Sequence, residues 1–457
     1  MIKHIHLIGI GGYGISAIAQ VLLEKGYLIS GSDRQLSDMA LHLQKQGARV
    51  YQGHAAEYIK GADLIVKSSA IPESNSEVLA ARQTGIPVQK RDEFLGNLLR
   101  EYKGIGIAGT HGKTTTTAMI AWMLSYLNQD PSYIIGGISK NLGNNAHAGK
   151  GPYFVIEADE YDRMFLGLFP FAAIITNMEH DHPDCYPSPA AYEDAFIQYI
   201  HNVSSDGFIL LCADDSGIHN LLKKNIDKKI FTYGLTTASD YQAVNLSINQ
   251  LGSYQFTIQH QHTPLTEISL RVPGKHNVQN ATAAIAMADK LGLDIQLASK
   301  AIGLFESTGR RFDLVGTIQG ITIIDDYAHH PTEIKATLEA AKNRFPDQTI
   351  RVVWQPHTYS RTITLFDQFA TAFSDADEVI VTEVFASRET NNEFSAQTIA
   401  AALQNPKVHF MPDLNKISSF LIEDLKPGDV LLVLTAGDAD QISKSVYKSL
   451  QQQEAGL

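Results

Sequence analysis

The segment Gly109–Thr115, with the sequence GTHGKTT, most constrains the fold of this chain. It follows an apolar, strand-like segment and precedes a helix-like one. A strand, a glycine-rich turn, Lys-Thr and a helix form a cradle for phosphate groups, because glycines let backbone N–H groups approach the oxygens. Lys113 can reach the β- and γ-oxygens of a nucleoside triphosphate, and the Thr114 hydroxyl can bind Mg²⁺. Ile107 occupies the position of the first glycine of the common P-loop, so the loop predicted here is shorter.

The composition is typical of a globular protein with several domains. The 457 residues are 44% hydrophobic and 19% charged, which predicts two to four domains with their own cores. A formal net charge of -12 argues against a general binder of nucleic acid or anionic membranes. Cys185 and Cys212, the only cysteines, lack metal-binding spacing and indicate a reducing compartment. We predict no signal peptide and no membrane span, and therefore expect a cytoplasmic protein.

Strand-like and helix-like segments alternate along the chain, which predicts an α/β protein of three domains. Residues 1–103 predict a Rossmann-like, doubly wound sheet, and residues 309–457 predict a second Rossmann-like domain. Residues 104–308 contain the glycine loop and predict a P-loop ATPase-like, mostly parallel sheet. Within them, short alternating runs between residues 229 and 272 predict a small antiparallel segment.

A second glycine-rich turn follows the first predicted strand. Gly9, Gly11, Gly12 and Gly14 fit the G-x-G-x-x-G pattern, and Asp33 ends the next strand. This arrangement fits a nicotinamide dinucleotide, but the same turn binds any diphosphate at a helix N-terminus, including that of a nucleotide sugar. A purely structural turn is a third interpretation.

Polar residues follow two strands of the second domain. Glu157 is the first acid after the strand that starts at Tyr153, and it is a candidate Mg²⁺ ligand beside the glycine loop. His182 follows the strand that ends at Thr176, which places it at the same edge of a parallel sheet. Mg²⁺ prefers oxygen ligands, so a histidine there is also typical of an ordinary loop. A charged strand end facing solvent is the alternative for Glu157.

Asn277 and Asn280 lie one turn apart near the start of a predicted helix, on one face. Their amides can pair with an adenine edge, but asparagine is also a common helix cap. Spacing alone favours neither interpretation.

The third domain carries a further set of polar side chains after its strands. Arg311 falls at the junction with the second domain, and Asp326 and His329 follow the next strand. His357 and Arg361 follow another strand. Such a cluster is typical of a metal site or a catalytic pair, although solvated loops have similar composition.

The segment Gly109–Thr114, combined with Glu157–Glu160 and with His276 and Asn277, resembles the Mur ligase family. Members of this family are ATP-dependent amide ligases of peptidoglycan precursor synthesis. The resemblance runs through nearly the whole chain, and its motifs are specific in combination. It implies that the first domain takes a UDP-sugar, the second takes ATP, and the third takes the amino acid and part of the nucleotide.

Further matches indicate which activity of the family to expect. The patterns at Gly9–Gly14, 68–71 and 325–331 resemble those members that join L-alanine to the lactyl carboxylate of UDP-N-acetylmuramate through an acyl phosphate. Tyr161 stands where those members more often have serine. At this position the chain resembles instead the members that add a recycled tripeptide to the same sugar. That activity is one alternative. A nicotinamide-dependent oxidoreductase is an alternative of a different class, but it leaves Gly109–Thr114 unexplained.

The resemblance implies ATP and Mg²⁺ and a role for each candidate residue. The implied ATP-binding residues are Gly109, Thr110, His111, Gly112, Lys113, Thr114, Thr115, Asn277, Asn280, Arg311 and Asp326. The implied UDP-sugar-binding residues are Gly9, Gly11, Gly12, Gly14, Asp33, Ser68 and Ser69. Catalytic roles are implied for Lys113, Glu157, His182 and His329, metal binding for Thr114, Glu157 and His182, and amino-acid binding for His357 and Arg361.

The expected partners are small molecules: UDP-N-acetylmuramate, L-alanine and ATP. We expect no nucleic acid as a partner, and either a monomer or a homodimer. Several relatives carry a carbamoylated lysine after the Asp-His loop, but residues 191–203 contain no lysine, so we do not predict that modification.

Overall fold

The computed structural model describes residues 2–183, 185–224, 226–387, 389–390, 393–405 and 407–455. The chain forms two compact units. The first consists of Met1–Gln242, Gln259–Pro264 and Asn280–Ile302, and the second of Ala243–Ile258, Leu265–Gln279 and Gly303–Leu457. The described residues form three sheets with intervening helices, which confirms the predicted α/β class.

The N-terminal sheet belongs to the first unit and is parallel throughout. Its elements are β1 (His4–Ile8), α1 (Tyr13–Glu24), β2 (Leu28–Asp33), α2 (Asp38–Lys45), β3 (Arg49–Gln52), β4 (Leu64–Lys67), α3 (Ser76–Thr84), β5 (Val88–Lys90) and α4 (Arg91–Leu99), with a 3-10 turn at Ala56–Ile59. The strand order is β3-β2-β1-β4-β5. The order reverses between β1 and β4, and such a reversal opens a crevice for ligands at the carboxyl ends of the strands.

The central sheet carries the GTHGKTT loop on its strand β6. Its elements are β6 (Lys103–Ala108), α5 (Lys113–Tyr126), β7 (Ser132–Ile134), β8 (Ala146–His147), β9 (Tyr153–Glu157), β10 (Ala172–Ile175), α6 (Pro189–Asn202), β11 (Phe208–Cys212), α7 (Ser216–Leu222), β12 (Ile230–Gly234), β13 (Tyr241–Ile248), β14 (Tyr254–His260), β15 (Thr263–Ser269), α8 (Lys275–Lys290) and α9 (Ile295–Gly303), with a 3-10 segment at Tyr161–Gly167. Within the first unit the order is β12-β11-β10-β6-β9-β7-β8. Strand β6 is parallel to both β9 and β10. The polar residues that follow these three strands therefore share one edge.

The predicted antiparallel segment is the run of strands β13, β14 and β15. Strands β14 and β15 are joined by Gln261 and His262 alone, which only an antiparallel pair allows. Both linking residues have positive φ, at 48° and 68°. Two consecutive left-handed residues are the conformation of a tight hairpin turn, because its twist matches that of the flanking strands.

The C-terminal sheet belongs to the second unit. Its elements are β16 (Asp313–Ile318), β17 (Ile321–Asp326), α10 (Pro331–Arg344), β18 (Thr349–Gln355), α11 (Tyr359–Thr364), α12 (Phe366–Ala370), β19 (Glu378–Val381), α13 (Ala396–Ala402), β20 (Val408–Phe410), α14 (Leu414–Asp424), β21 (Asp429–Thr435) and α15 (Asp440–Ala455). The order is β16-β17-β21-β18-β19-β20, with only β16 antiparallel to its neighbour. Buried clusters cover both faces, one around Trp354 and the other around Val433.

No helix in the described part of the chain is both long and apolar enough to cross a membrane.

Candidate functional site

The GTHGKTT loop connects β6 to α5 and is held by residues that follow β10. The Thr176 hydroxyl donates to the carbonyl of His111 at 2.6 Å. The Asn177 side chain accepts from the N–H of His111 at 2.8 Å and donates to its carbonyl at 3.0 Å. Gly109 has a φ of 128°, and a Cβ there would lie 2.1 Å from the Thr176 hydroxyl oxygen. Both the backbone conformation and the crowding therefore require glycine at this position.

Lys113 begins α5 and points back over the loop. Its Nζ donates to the carbonyls of Gly109 and Thr110 at 2.6 and 3.2 Å and to Oε1 of Glu160 at 2.9 Å. Burial by itself would lower the pKa of Lys113, but nearby carboxylates, with Glu160 the strongest, outweigh burial and raise it. The side chain is therefore a fixed cation at the point where a phosphate cradle needs one.

Glu157 ends β9 beside the start of α5. Its Oε1 accepts from the N–H of Gly136 at 2.8 Å, and its carboxylate is hydrogen-bonded to the Thr114 hydroxyl. Burial raises the pKa of Glu157, and the hydrogen bonds from Gly136 and Thr114 partly offset this effect. Adjacent hydroxyl and carboxylate oxygens are the donors that Mg²⁺ prefers, so these two residues fit the ion.

Glu160 links the loop lysine to His182. The Glu160 side chain is only 1% exposed, and its Oε1 lies 3.7 Å from Nε2 of His182. Burial raises the pKa of Glu160 to about 7 despite the neighbouring Lys113. His182 has a positive φ of 55°, and its ring packs edge-on against Tyr161 at 5.0 Å. No role for Glu160 was predicted from the sequence, although this residue lies in the same acidic run as Glu157.

The two asparagines of α8 have different surroundings. The Asn280 amide oxygen lies 3.0 Å from the point that a Cβ on Gly112 would occupy, so this side chain contacts the loop. The Asn277 amide donates to the carbonyl of Pro273 at 2.7 Å, within the turn that precedes the helix. Thr115 is buried in the first turn of α5.

The Gly9–Gly14 turn lies in the crevice between β1 and β4. A Cβ on Gly9 would lie 3.1 Å from that of Ser68, which follows β4. The Asp33 carboxylate accepts from the N–H of Gly11 at 2.9 Å. Asp33 therefore stabilises the turn from the end of β2. Ser69 is exposed at the same edge of the sheet.

The second unit brings Asp326 and Arg311 together. The two carboxylate oxygens of Asp326 accept from the backbone N–H groups of Phe312 and Ala328, both at 2.7 Å. Burial raises the pKa of Asp326 to about 6, and Arg311 partly opposes this shift. The Arg311 guanidinium lies over the Tyr327 ring, 5.0 Å from its centroid.

The same unit also gathers the three predicted residues at the ends of β17 and β18. The rings of His329 and His357 lie 5.7 Å apart, and His357 also stacks on Phe385. Arg361, in the first turn of α11, donates to Nδ1 of His357 at 3.1 Å. His329 lies 3.3 Å from a carboxylate oxygen of Glu333. A buried arginine beside two imidazoles can bind a small zwitterion, because the guanidinium donates hydrogen bonds to the carboxylate of that zwitterion.

Family models match three successive parts of the chain. The Mur ligase family catalytic domain matches residues 4–103, the Mur ligase middle domain matches 107–288, and the Mur ligase glutamate ligase domain matches 310–437. A UDP-N-acetylmuramate–L-alanine ligase of Caldanaerobacter subterraneus subsp. tengcongensis is 39% identical over 446 residues, covering 97% of this chain and 96% of that protein. The enzyme of that name from Salinibacter ruber is 40% identical over 455 residues, covering 98% and 95%.

Solved structures have the same architecture. The UDP-N-acetylmuramate-alanine ligase of Thermotoga maritima matches with a TM-score of 0.84 and 31% identity, covering 99% of this chain and 100% of that one. A murein peptide ligase of Psychrobacter arcticus matches with a TM-score of 0.71 and 27% identity over 98% of each chain. On these matches, which extend over its three sheets, the chain belongs to the Mur ligase family.

Proposed function

We propose that this chain joins L-alanine to the lactyl carboxylate of UDP-N-acetylmuramate, with conversion of ATP to ADP and phosphate. One observation carries the proposal: a glycine-rich phosphate-binding loop with Lys113, Thr114 and Glu157 in place, on a chain similar over nearly its full length to ligases of that name. The greater similarity to the Thermotoga maritima structure than to the murein peptide ligase favours L-alanine over a tripeptide.

The first step activates a poor electrophile. A carboxylate oxygen of the sugar attacks the γ-phosphorus of ATP, the bond to the β–γ bridging oxygen breaks, and ADP leaves. Two anions must approach each other, so fixed positive charge is needed, and the Lys113 ammonium supplies it at the loop. Thr114 and Glu157 would hold Mg²⁺, with His182 as the further proposed ligand, and a bound Mg²⁺ neutralises phosphate charge.

The second step forms the amide. The α-amine of L-alanine attacks the carbonyl carbon of the acyl phosphate, the C–O bond to phosphate breaks, and the amine loses a proton. We assign binding of the amino acid to His357 and Arg361, with Arg361 opposite its carboxylate, and we place His329 beside them. Arginine suits this task because its planar guanidinium matches a carboxylate with two parallel hydrogen bonds.

The remaining residues are assigned to the substrate that their domain binds. Residues 1–103 bind the UDP-sugar, residues 104–308 bind ATP, and residues 309–457 bind the amino acid and part of the nucleotide. The proposed UDP-sugar contacts are Gly9, Gly11, Gly12, Gly14, Asp33, Ser68 and Ser69. The proposed nucleotide contacts outside the loop are Asn277, Asn280, Arg311 and Asp326. ATP and UDP-sugars are cytoplasmic metabolites, so we place the enzyme in the cytoplasm.

The test is ADP release with UDP-N-acetylmuramate as the acid and four amines compared: L-alanine, glycine, L-serine and the murein tripeptide. We expect the highest kcat/KM for L-alanine and a product whose mass equals that of the two substrates less one water. A higher kcat/KM for the tripeptide would establish the alternative that Tyr161 suggests. UDP-N-acetylglucosamine, which has no carboxylate to phosphorylate, is the matched control and should give no amine-dependent ADP.

A further inference from the structure

A cleft of about 160 Å³ lies within the first unit, between the Gly9–Gly14 turn and the end of β9. The lining contains Tyr13 and Gly14, at the end of that turn. The lining also contains Glu157 and Asp159, beside the GTHGKTT loop. The cleft therefore connects the proposed diphosphate site to the proposed phosphoryl-transfer site.

Arg91, the first residue of α4, is the only basic side chain among the described residues that line this cleft. It is half-buried. Glu157 and Asp159 line the same cleft, yet the described part of the chain shows no ion pair or hydrogen bond between either of them and the Arg91 side chain. A guanidinium held in a cleft without an acidic partner can bind an incoming anion.

Two glycines leave room for the charged groups of the cleft. A Cβ on Gly14 would lie 2.2 Å from a terminal nitrogen of Arg91. A Cβ on Gly136 would lie 2.7 Å from both carboxylate oxygens of Glu157. Neither glycine has a positive φ, so backbone conformation does not require glycine at either position. A Cβ at either position would instead displace the guanidinium or the carboxylate from its present place.

We propose that Arg91 binds the lactyl carboxylate of the UDP-sugar and selects sugars that carry it; this inference rests on the function proposed above. A sugar whose diphosphate lies at the Gly9–Gly14 turn would extend into the cleft. Its carboxylate would then face Glu157 and Asp159, which repel an anion. Arg91 supplies the compensating charge, and its planar fork matches a carboxylate with two hydrogen bonds.

The test compares two ligands that differ at the 3-position of the sugar: UDP-N-acetylmuramate and UDP-N-acetylglucosamine, which lacks the lactyl group. Calorimetry gives the Kd of each for the unmodified protein, for Arg91→Gln and Arg91→Lys, and for Arg49→Ala as an exposed control in the same domain. We expect Arg91→Gln to weaken the binding of UDP-N-acetylmuramate about tenfold or more and the binding of UDP-N-acetylglucosamine less than about twofold. The Kd of UDP-N-acetylmuramate for Arg91→Lys should lie between those for the unmodified protein and for Arg91→Gln. The Kd values for Arg49→Ala should match those for the unmodified protein.

Equal weakening of both ligands by Arg91→Gln would overturn the inference, because Arg91 would then contact the shared UDP or hexosamine. So would unchanged binding of both. Retained UDP-N-acetylglucosamine binding shows that the variant is folded. The proposed function fails separately, if the unmodified protein binds UDP-N-acetylmuramate but releases no ADP with any amine.

Discussion

The Nζ atom of Lys113 lies 2.9 and 2.8 Å from the two carboxylate oxygens of Glu160, and both side chains are largely buried. Glu160 is thus the counter-ion of the loop lysine. Burial raises the pKa of Glu160, so its charge costs free energy, while the same charge is the largest factor that raises the pKa of Lys113. The two effects on stability oppose each other.

Glu160→Gln should lower both the stability and the activity of the protein. Removing one partner of this buried pair leaves the Lys113 ammonium without its counter-ion, so we expect the free energy of unfolding to fall by about 3 kcal/mol. Turnover should fall about tenfold or more, because Lys113 is no longer held over the loop. Glu57→Gln, at an exposed site, is the control. An unchanged kcat, or a free energy of unfolding equal to that of the unmodified protein, would contradict this expectation.

Lys113→Ala removes the cation that the proposed first step needs. We expect kcat for L-alanine-dependent ADP release to fall by at least about 10²–10³, with the far-ultraviolet circular dichroism spectrum unchanged. Lys300→Ala, an exposed lysine of α9, is the matched control and should keep full activity. Near-normal turnover by Lys113→Ala would exclude the loop as the phosphoryl-transfer site.

Gly109→Ala and Gly26→Ala separate crowding from backbone strain. Both glycines have positive φ, but a Cβ on Gly26 meets nothing within 4 Å, whereas one on Gly109 meets Thr176 at 2.1 Å. Strain alone should cost Gly26→Ala about 1–2 kcal/mol of unfolding free energy. Gly109→Ala should cost more and should also raise the KM for ATP. Equal effects of the two variants in denaturant titrations would mean that the loop tolerates the extra atom.

Asp325 should give the second unit a pH-dependent stability. Burial raises its pKa to about 7, although Arg310 lies 3.8 Å away and opposes the shift. Between about pH 4 and pH 7 the folded protein keeps a proton that the unfolded chain has released. The free energy of unfolding should therefore fall as pH rises through this window and level off above it. Asp325→Asn should remove a slope worth a few kcal/mol over the window, whereas the exposed Asp367→Asn should retain it.

Arg361→Lys tests the amino-acid site. Lysine keeps the charge but loses the planar pair of donors, so the KM for L-alanine should rise about tenfold or more, while the KM for ATP stays within about twofold. Arg271→Lys, an exposed residue paired with Glu306, is the control for a general effect of the exchange. Steady-state kinetics with each substrate varied in turn provides the comparison. A rise in the KM for ATP alone would assign Arg361 to the nucleotide site instead of the amino-acid site.

The local sequence was sufficient to predict those functional features whose residues are neighbours in the chain. The GTHGKTT loop was recognisable because strand, glycines, lysine and helix are consecutive, and the family assignment it supported is confirmed by the full-length matches. The α/β class is likewise confirmed. The roles given to individual residues, such as His182 and Asn277, stay predictions.

Tertiary structure decided which residues become neighbours across strands. Arg91 was not predicted because it lies far from Gly14 in sequence, and only the tertiary fold brings its guanidinium beside that glycine. The same holds for Glu160 and Lys113, which belong to different strand–loop units of one sheet. Sequence by itself determined the elements and the phosphate loop, because these depend on short-range backbone preferences and periodicity. The charge partners and the cleft depended on strand order, which is set by long-range packing.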